Sequence, residues 1–143
     1  MCLLLKRTIF GGAYIIHTNL WISFLLTRDF SKFDSIIADN EITLLFSEEL
    51  VNEIVEVTQR IKFSKYFKLD EVESLMLMIK IRAIFVDVTS QINKCRDPKD
   101  NFLLSLSMDG NATHLLTGDK DLLILKRSGQ TKIIKITEYL GDE

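Results

Sequence analysis

Hydrophobic and polar positions alternate along this chain in blocks that change period. Tyr14 to Ile16 form a short β-prone run, and Asn19 to Leu26 then carry an apolar stripe at helical spacing. Phe30 to Ala38 fit a second short helix, and Ile42 to Phe46 form a continuous apolar strand of the kind buried on both faces. Ser47 is placed as an N-cap, with Glu48 and Glu49 near the positive end of the helix it opens. Leu50, Ile54, Val57 and Ile61 recur along that helix, "KFSKYF" interrupts the pattern, and Asp70 to Lys80 resume it through Val72, Leu75, Met76 and Ile79.

Ile84 to Val88 read as a third strand. Asp97 then caps a helix whose first position is Pro98, where a missing N–H costs nothing. Leu115 and Leu116 mark a fourth strand closed by the turn "TGD" at 117–119, "KIIKI" at 132–136 a fifth, and Thr137 starts a short terminal helix. Strands alternating with helices predict an α/β domain, three-layered, with a mainly parallel sheet of about five strands and helices on both faces.

Composition narrows the partners. The 143 residues suit one compact domain; 47% hydrophobic and 27% charged content are ordinary for a globular protein, and a net charge of -2 excludes a generally polybasic surface. Cys2 and Cys95 lie far apart and form no metal-ligand spacing, so a reducing cytoplasm is expected. Residues 1–13 read as a leader and 14–143 as the domain. The leader's apolar run is shorter than the ~20 residues a membrane span needs. Lys6 and Arg7 follow that run, the wrong order for a signal peptide. No G-x-G-x-x-G or P-loop motif is present, which disfavours a nucleotide-cofactor enzyme.

Ligands of open α/β sheets bind beyond the carboxyl ends of the strands. His17 ends the first strand and Asp119 follows the fourth; Asp97 and Asp100 start a helix, and Glu53 lies along another. At 100° per residue, Glu53 falls about 60° from Leu50 and about 40° from Val57, on the border of the buried stripe. It is either a solvated margin residue or a carboxylate with a partner. Asp97, Asp100, Asp119 and Asp121 can each serve simply as helix caps or first-turn acids; their expected convergence is what suggests a cation site.

Four stretches then carry a family likeness: "IIHTNLWISFLL", "FSEELVNEIVEVTQRIKFSKYF", "CRDPKDNFLLSLSMDGNATHLLTGDKDLL" and "IIKITEYL". Over residues 14–140 the chain resembles a PIN domain, in particular the toxin components of toxin–antitoxin pairs. The resemblance implies a Mg²⁺- or Mn²⁺-dependent endoribonuclease with Glu53, Asp100 and Asp119 as its acids and Asp97 as a further metal ligand. Asn19 and Thr117 fall on supporting positions. It also implies an RNA substrate, a homodimer and an antitoxin partner.

The family's opening catalytic Asp falls on His17. A neutral imidazole removes one charge and one hard oxygen donor, so Mg²⁺ binding should weaken more than binding of Mn²⁺, Zn²⁺ or Co²⁺. Reduced or lost cleavage is expected, the alternative being a degenerate PIN fold kept as a protein-interaction module. Arg96, Lys99 and Lys120 flank the acids and are placed to steer phosphate. Lys62, Lys65 and Lys68, interleaved with Phe63, Tyr66 and Phe67, form a basic–aromatic segment whose aromatics are expected to pack inward. Trp21 is expected in the core or at a dimer contact, and His114 at a strand edge.

Overall fold

A computed structural model describes residues 12–38, 42–60 and 69–140. In chain order these form β1 (Ala13–Ile16), α1 (Thr18–Thr27), α2 (Ser31–Ala38), β2 (Thr43–Phe46), α3 (Glu48–Gln59), α4 (Leu69–Arg82) and β3 (Ile84–Phe85). Then follow α5 (Pro98–Asp109), β4 (His114–Leu116), α6 (Lys120–Leu123), β5 (Arg127–Ser128), β6 (Thr131–Ile134) and α7 (Ile136–Leu140). The basic–aromatic segment and residues 1–11 lie outside the described residues.

The strands form one sheet in the order β3-β2-β1-β4-β6-β5, parallel except for the β5–β6 pair. Helices cover both faces. Every residue of β1 and β2 is buried, which matches strands packed on both sides. The chain leaves β1 toward β2 on one side and returns to β4 on the other, so the sheet reverses winding between β1 and β4. Such a switch point opens a crevice at the carboxyl ends of the strands.

Two expectations about strands are corrected. The third strand stops at Phe85, with only the Val86 N–H added to Phe46 O, because residues 86–96 turn away to bond with α5. The fifth predicted strand covers Thr131–Ile134, and Ile136 already begins α7. The sheet has six strands because Arg127–Ser128 fold back as a two-residue antiparallel edge. That hairpin turns at Gly129, whose positive φ of 58° suits a residue without Cβ.

Trp21 is fully buried, its Nε1–H donating to Ile16 O at 3.0 Å and its ring packed on Phe24, Phe33 and Phe46. It fastens α1 to the end of β1 and therefore sets where His17 emerges. Ser47 caps α3 as expected, accepting from the Leu50 N–H at 3.1 Å. Among the described residues no helix is long and apolar enough to cross a membrane.

Candidate metal centre

The register of the central strands places the site. Ile16 pairs with Leu116 and Leu116 with Ile134, so His17 and Thr117 emerge side by side at the carboxyl edge. The His17 N–H donates to Leu116 O at 2.9 Å, and the Thr117 N–H to Ile134 O at 3.0 Å. The two side chains then meet, with His17 Nδ1 2.7 Å from Thr117 Oγ1. Thr117, only 1% exposed, also accepts from the Asp119 N–H at 3.0 Å. One hydroxyl thus holds both the imidazole and the backbone that presents Asp119.

Asp97 caps α5 by accepting from the Lys99 N–H at 2.9 Å, and Asp100 stands one turn inside, 2% exposed. Asp119 caps α6 in the same way, accepting from the Asp121 N–H at 2.9 Å, which folds Asp121 back toward the crevice. One carboxylate oxygen from each of Asp100, Asp119 and Asp121 lies within 4.8 Å of the other two. Of the acids expected from the sequence, Asp100 and Asp119 enter this cluster. Glu53 and Asp97 stand nearby and act on His17 through their charge, without joining the mutually adjacent three.

Asp121, weighed in the sequence only beside Asp119 as a cap or first-turn acid, is the cluster member that the family resemblance did not imply as a ligand. The available signal was the i, i+2 spacing with Asp119: a capping turn that bonds Asp119 to the Asp121 N–H also returns Asp121 to the same edge.

The segment between β3 and α5 lacks regular structure, yet one face of α5 stitches it down. Asn101, Ser105 and Asp109, each four residues apart, present side chains to it in sequence. Asp109 accepts from the Thr89 N–H at 2.6 Å, the Ser90 N–H at 2.9 Å and the Ser90 hydroxyl. Those donors hold its carboxyl below the usual range. Ser105 accepts from the Ile92 N–H at 3.0 Å. Asn101 Oδ1 accepts from the Lys94 and Cys95 N–H groups at 3.0 and 2.7 Å, while its Nδ2 donates to Cys95 O at 2.8 Å. Asn101 sits next to Asp100 and clasps the backbone that leads into Asp97.

The flanking cations are partly engaged. Lys99 Nζ is 3.7 Å from Glu53, whose side chain is 22% exposed, and Arg96 is 3.8 Å from Asp121. The marginal position expected for Glu53 thus comes with a cationic partner. Lys120 is exposed. Asn19 lies on the exposed start of α1 against the Gly118 turn, its Nδ2 3.8 Å from where a Cβ at Gly118 would sit. His114 opens β4 and stacks on Tyr14 with ring centroids 4.5 Å apart. The concavity between α3 and α4, about 810 Å³, lies away from the acids; a cleft of about 200 Å³ lined by Glu53, Pro98 and Lys99 adjoins them.

Electrostatics separate the two ends of the crevice. Burial pushes the Asp100 carboxyl up to about 7, helped by its hydrogen bond with Asp119 and by the charges of Asp119, Asp97 and Asp121. Burial pulls His17 down, against the opposing pull of Asp119, Glu53 and Asp97, so the ring is neutral at pH 7. Burial and the charges of Asp100, Asp119, Asp121 and Asp97 raise the Cys95 thiol.

These residues fit a hard divalent cation. The donors are all carboxylate oxygens, the type that suits Mg²⁺ or Mn²⁺, and three of them within 4.8 Å of one another concentrate the negative charge that such an ion neutralises. Soft ligation has no place in the trio.

A sequence profile described as PIN domain matches residues 13–121. The chain belongs to the PIN-domain family. This PIN domain matches no curated protein. Among solved structures it is similar to a chain in the crystal structure of VapBC2 from Rickettsia felis bound to a DNA fragment from their promoter. Identity is 16%, the TM-score is 0.56, and the likeness covers 85% of this chain and 96% of that one. At that identity the likeness concerns the fold.

Proposed function

We propose that this PIN domain is a metal-dependent endoribonuclease, the toxin component of a toxin–antitoxin pair, with Mg²⁺ use weakened by His17. The observation that carries the reading is the convergence of Asp100, Asp119 and Asp121 at the β1–β4 switch point. Asp100, Asp119 and Asp121 would hold Mn²⁺ or Mg²⁺, with Glu53 and Asp97 close enough to add to the field. When bound, the cation supplies charge for the scissile phosphate and lowers the pKa of a water.

The chain's own groups do the rest. Thr117 keeps His17 and the Asp119 backbone in place, so the acid after β4 is presented without a loop search. Lys99 holds Glu53, and exposed Arg96 and Lys120 face incoming phosphate from the α5 and α6 ends. His17 offers no anionic oxygen where a carboxylate would strengthen the field. The fold likeness to a VapBC2 structure supports an antitoxin partner, and a homodimer with RNA as its substrate goes with this reading.

A second reading, an interaction module without cleavage, draws on one contact: the His17 ring is committed to Thr117 in the fold. Incubating RNA with the protein in Mn²⁺ separates the two. Cleavage that disappears in Asp100→Asn and Asp119→Asn supports the nuclease; intact RNA at all metal concentrations supports the module.

A further inference from the structure

The overall charge is -2, yet residues 120–135 hold Lys120, Lys126, Arg127, Lys132 and Lys135 against one acid, Asp121. All five cations are exposed, and among the described residues none lies within ion-pair distance of a carboxylate, whereas Arg28, Arg96 and Lys99 each do. Lysine on an edge strand can serve merely to block edge-to-edge pairing. Two features exceed that need. Lys120 and Lys135 lie off the edge strand, on α6 and beyond the end of β6. Arg127 and Lys132 are also direct cross-strand partners, and like charges placed opposite one another destabilise a strand pair. The fold retains a repulsion that a bound polyanion would relieve.

Two of the five cations adjoin the acid cluster along the chain. Lys120 lies between Asp119 and Asp121, and Lys135 follows Ile134, whose carbonyl receives the Thr117 N–H. Lys94 Nζ donates to Ser128 Oγ at 3.2 Å, binding the segment before α5 to the hairpin. Ser128 itself is buried between Arg127 and the turn.

We propose that the β5–β6 edge, with Lys120, Lys126, Arg127, Lys132 and Lys135, is the track along which the phosphate backbone of single-stranded RNA approaches the acid cluster. The assignment rests on the nuclease reading for its choice of RNA. Contacts of this kind go to phosphates, so the track selects for backbone charge and leaves sequence choice to other groups.

The test measures anisotropy of a fluorescein-labelled oligouridine of about 20 nucleotides, long enough for one protein, in EDTA so that nothing is cut. Lys126→Glu/Arg127→Glu/Lys132→Glu should bind about tenfold or more weakly, with the log–log salt slope smaller by about 2, since each single-strand phosphate contact contributes about 0.7. A control with the same charge change, Lys32→Glu/Lys80→Glu/Arg82→Glu on α2 and α4, should bind as the unmutated protein does. Lys132→Glu alone should raise the melting temperature, because it turns a repulsive pair into an attractive one, and still weaken RNA binding. Equal losses in both triple variants, or no loss in the hairpin triple, would overturn the track. Tighter binding of duplex DNA than of the oligouridine would overturn the RNA assignment. RNA held by the strip but never cut in Mn²⁺ or Mg²⁺ leaves the track standing and removes the nuclease reading instead.

Discussion

Replacing Asp100 by Asn should stabilise the protein at pH 8 and abolish its response to metal. The Asp100 carboxyl is raised from 3.8 to about 7, chiefly by burial and then by Asp119. A raised acid pKa means the folded state binds the proton more tightly than the unfolded chain. Stability therefore falls as pH rises from about 4 to about 7, and the penalty is complete above 7. Three pKa units correspond to about 4 kcal/mol. Two unit charges within 4.8 Å of each other repel by at least about 3.5 kcal/mol at an effective dielectric of about 20, so the neighbouring carboxylates add to the larger effect of burial. Asp121 is 57% exposed and Asp119 partly so, which screens the repulsion; about 2 kcal/mol is a realistic gain. Asn retains an N–H for Asp119 where the protonated acid has its O–H. For a chain of this size the gain is about 6 °C in melting temperature at pH 8 and close to zero at pH 4. Millimolar Mn²⁺ should then raise the melting temperature of the unmutated protein and leave Asp100→Asn unmoved. Differential scanning fluorimetry across pH and Mn²⁺ reads both effects. A loss of stability at pH 8, or equal metal stabilisation of both proteins, refutes the reasoning.

Asn101→Ala, which frees the Lys94 and Cys95 amides beside the acids, should weaken Mn²⁺ binding by about tenfold in calorimetry. Asp109→Ser, which loosens the far end of the same segment, should lower the melting temperature and leave Mn²⁺ affinity within about twofold. Thr117→Val removes the acceptor of the Asp119 N–H and the partner of His17; a loss of about 1 kcal/mol in urea unfolding is expected, since a half-buried N–H loses its partner. An unchanged midpoint would show that water replaces the hydroxyl.

The fold was legible because its central strands are short apolar runs with single N-cap residues after them. Ser47, Asp97 with Pro98, and Asp119 each announce a helix locally, and each does cap one. The Arg127–Ser128 strand was not legible: two residues have no period, and their pairing depends on a turn at Gly129. Ile84 to Val88 look like one strand because they are mostly apolar. Residues 89–95 are instead held by polar side chains of α5, set by helical spacing on the helix that follows. At the site, sequence order marked which acids follow strands. It could not give their separations, so the adjacency of Asp121 and the pairing of Glu53 with Lys99 emerge only in three dimensions. His17 stood out at once as a ring in an acid's place. Its bond to Thr117 follows from the Ile16–Leu116 register, which no local pattern encodes.

The central claim, an acid-held metal nuclease weakened for Mg²⁺ at His17, is tested most directly by RNA cleavage. The natural chain, His17→Asp and His17→Asp/Asp100→Asn are compared in Mg²⁺ and in Mn²⁺. The natural chain should cleave slowly, and faster in Mn²⁺ than in Mg²⁺. His17→Asp should gain at least about tenfold in Mg²⁺, and the double variant should be inactive in both metals. Equal rates for the natural chain and His17→Asp in Mg²⁺, or full activity in the double variant, would contradict it.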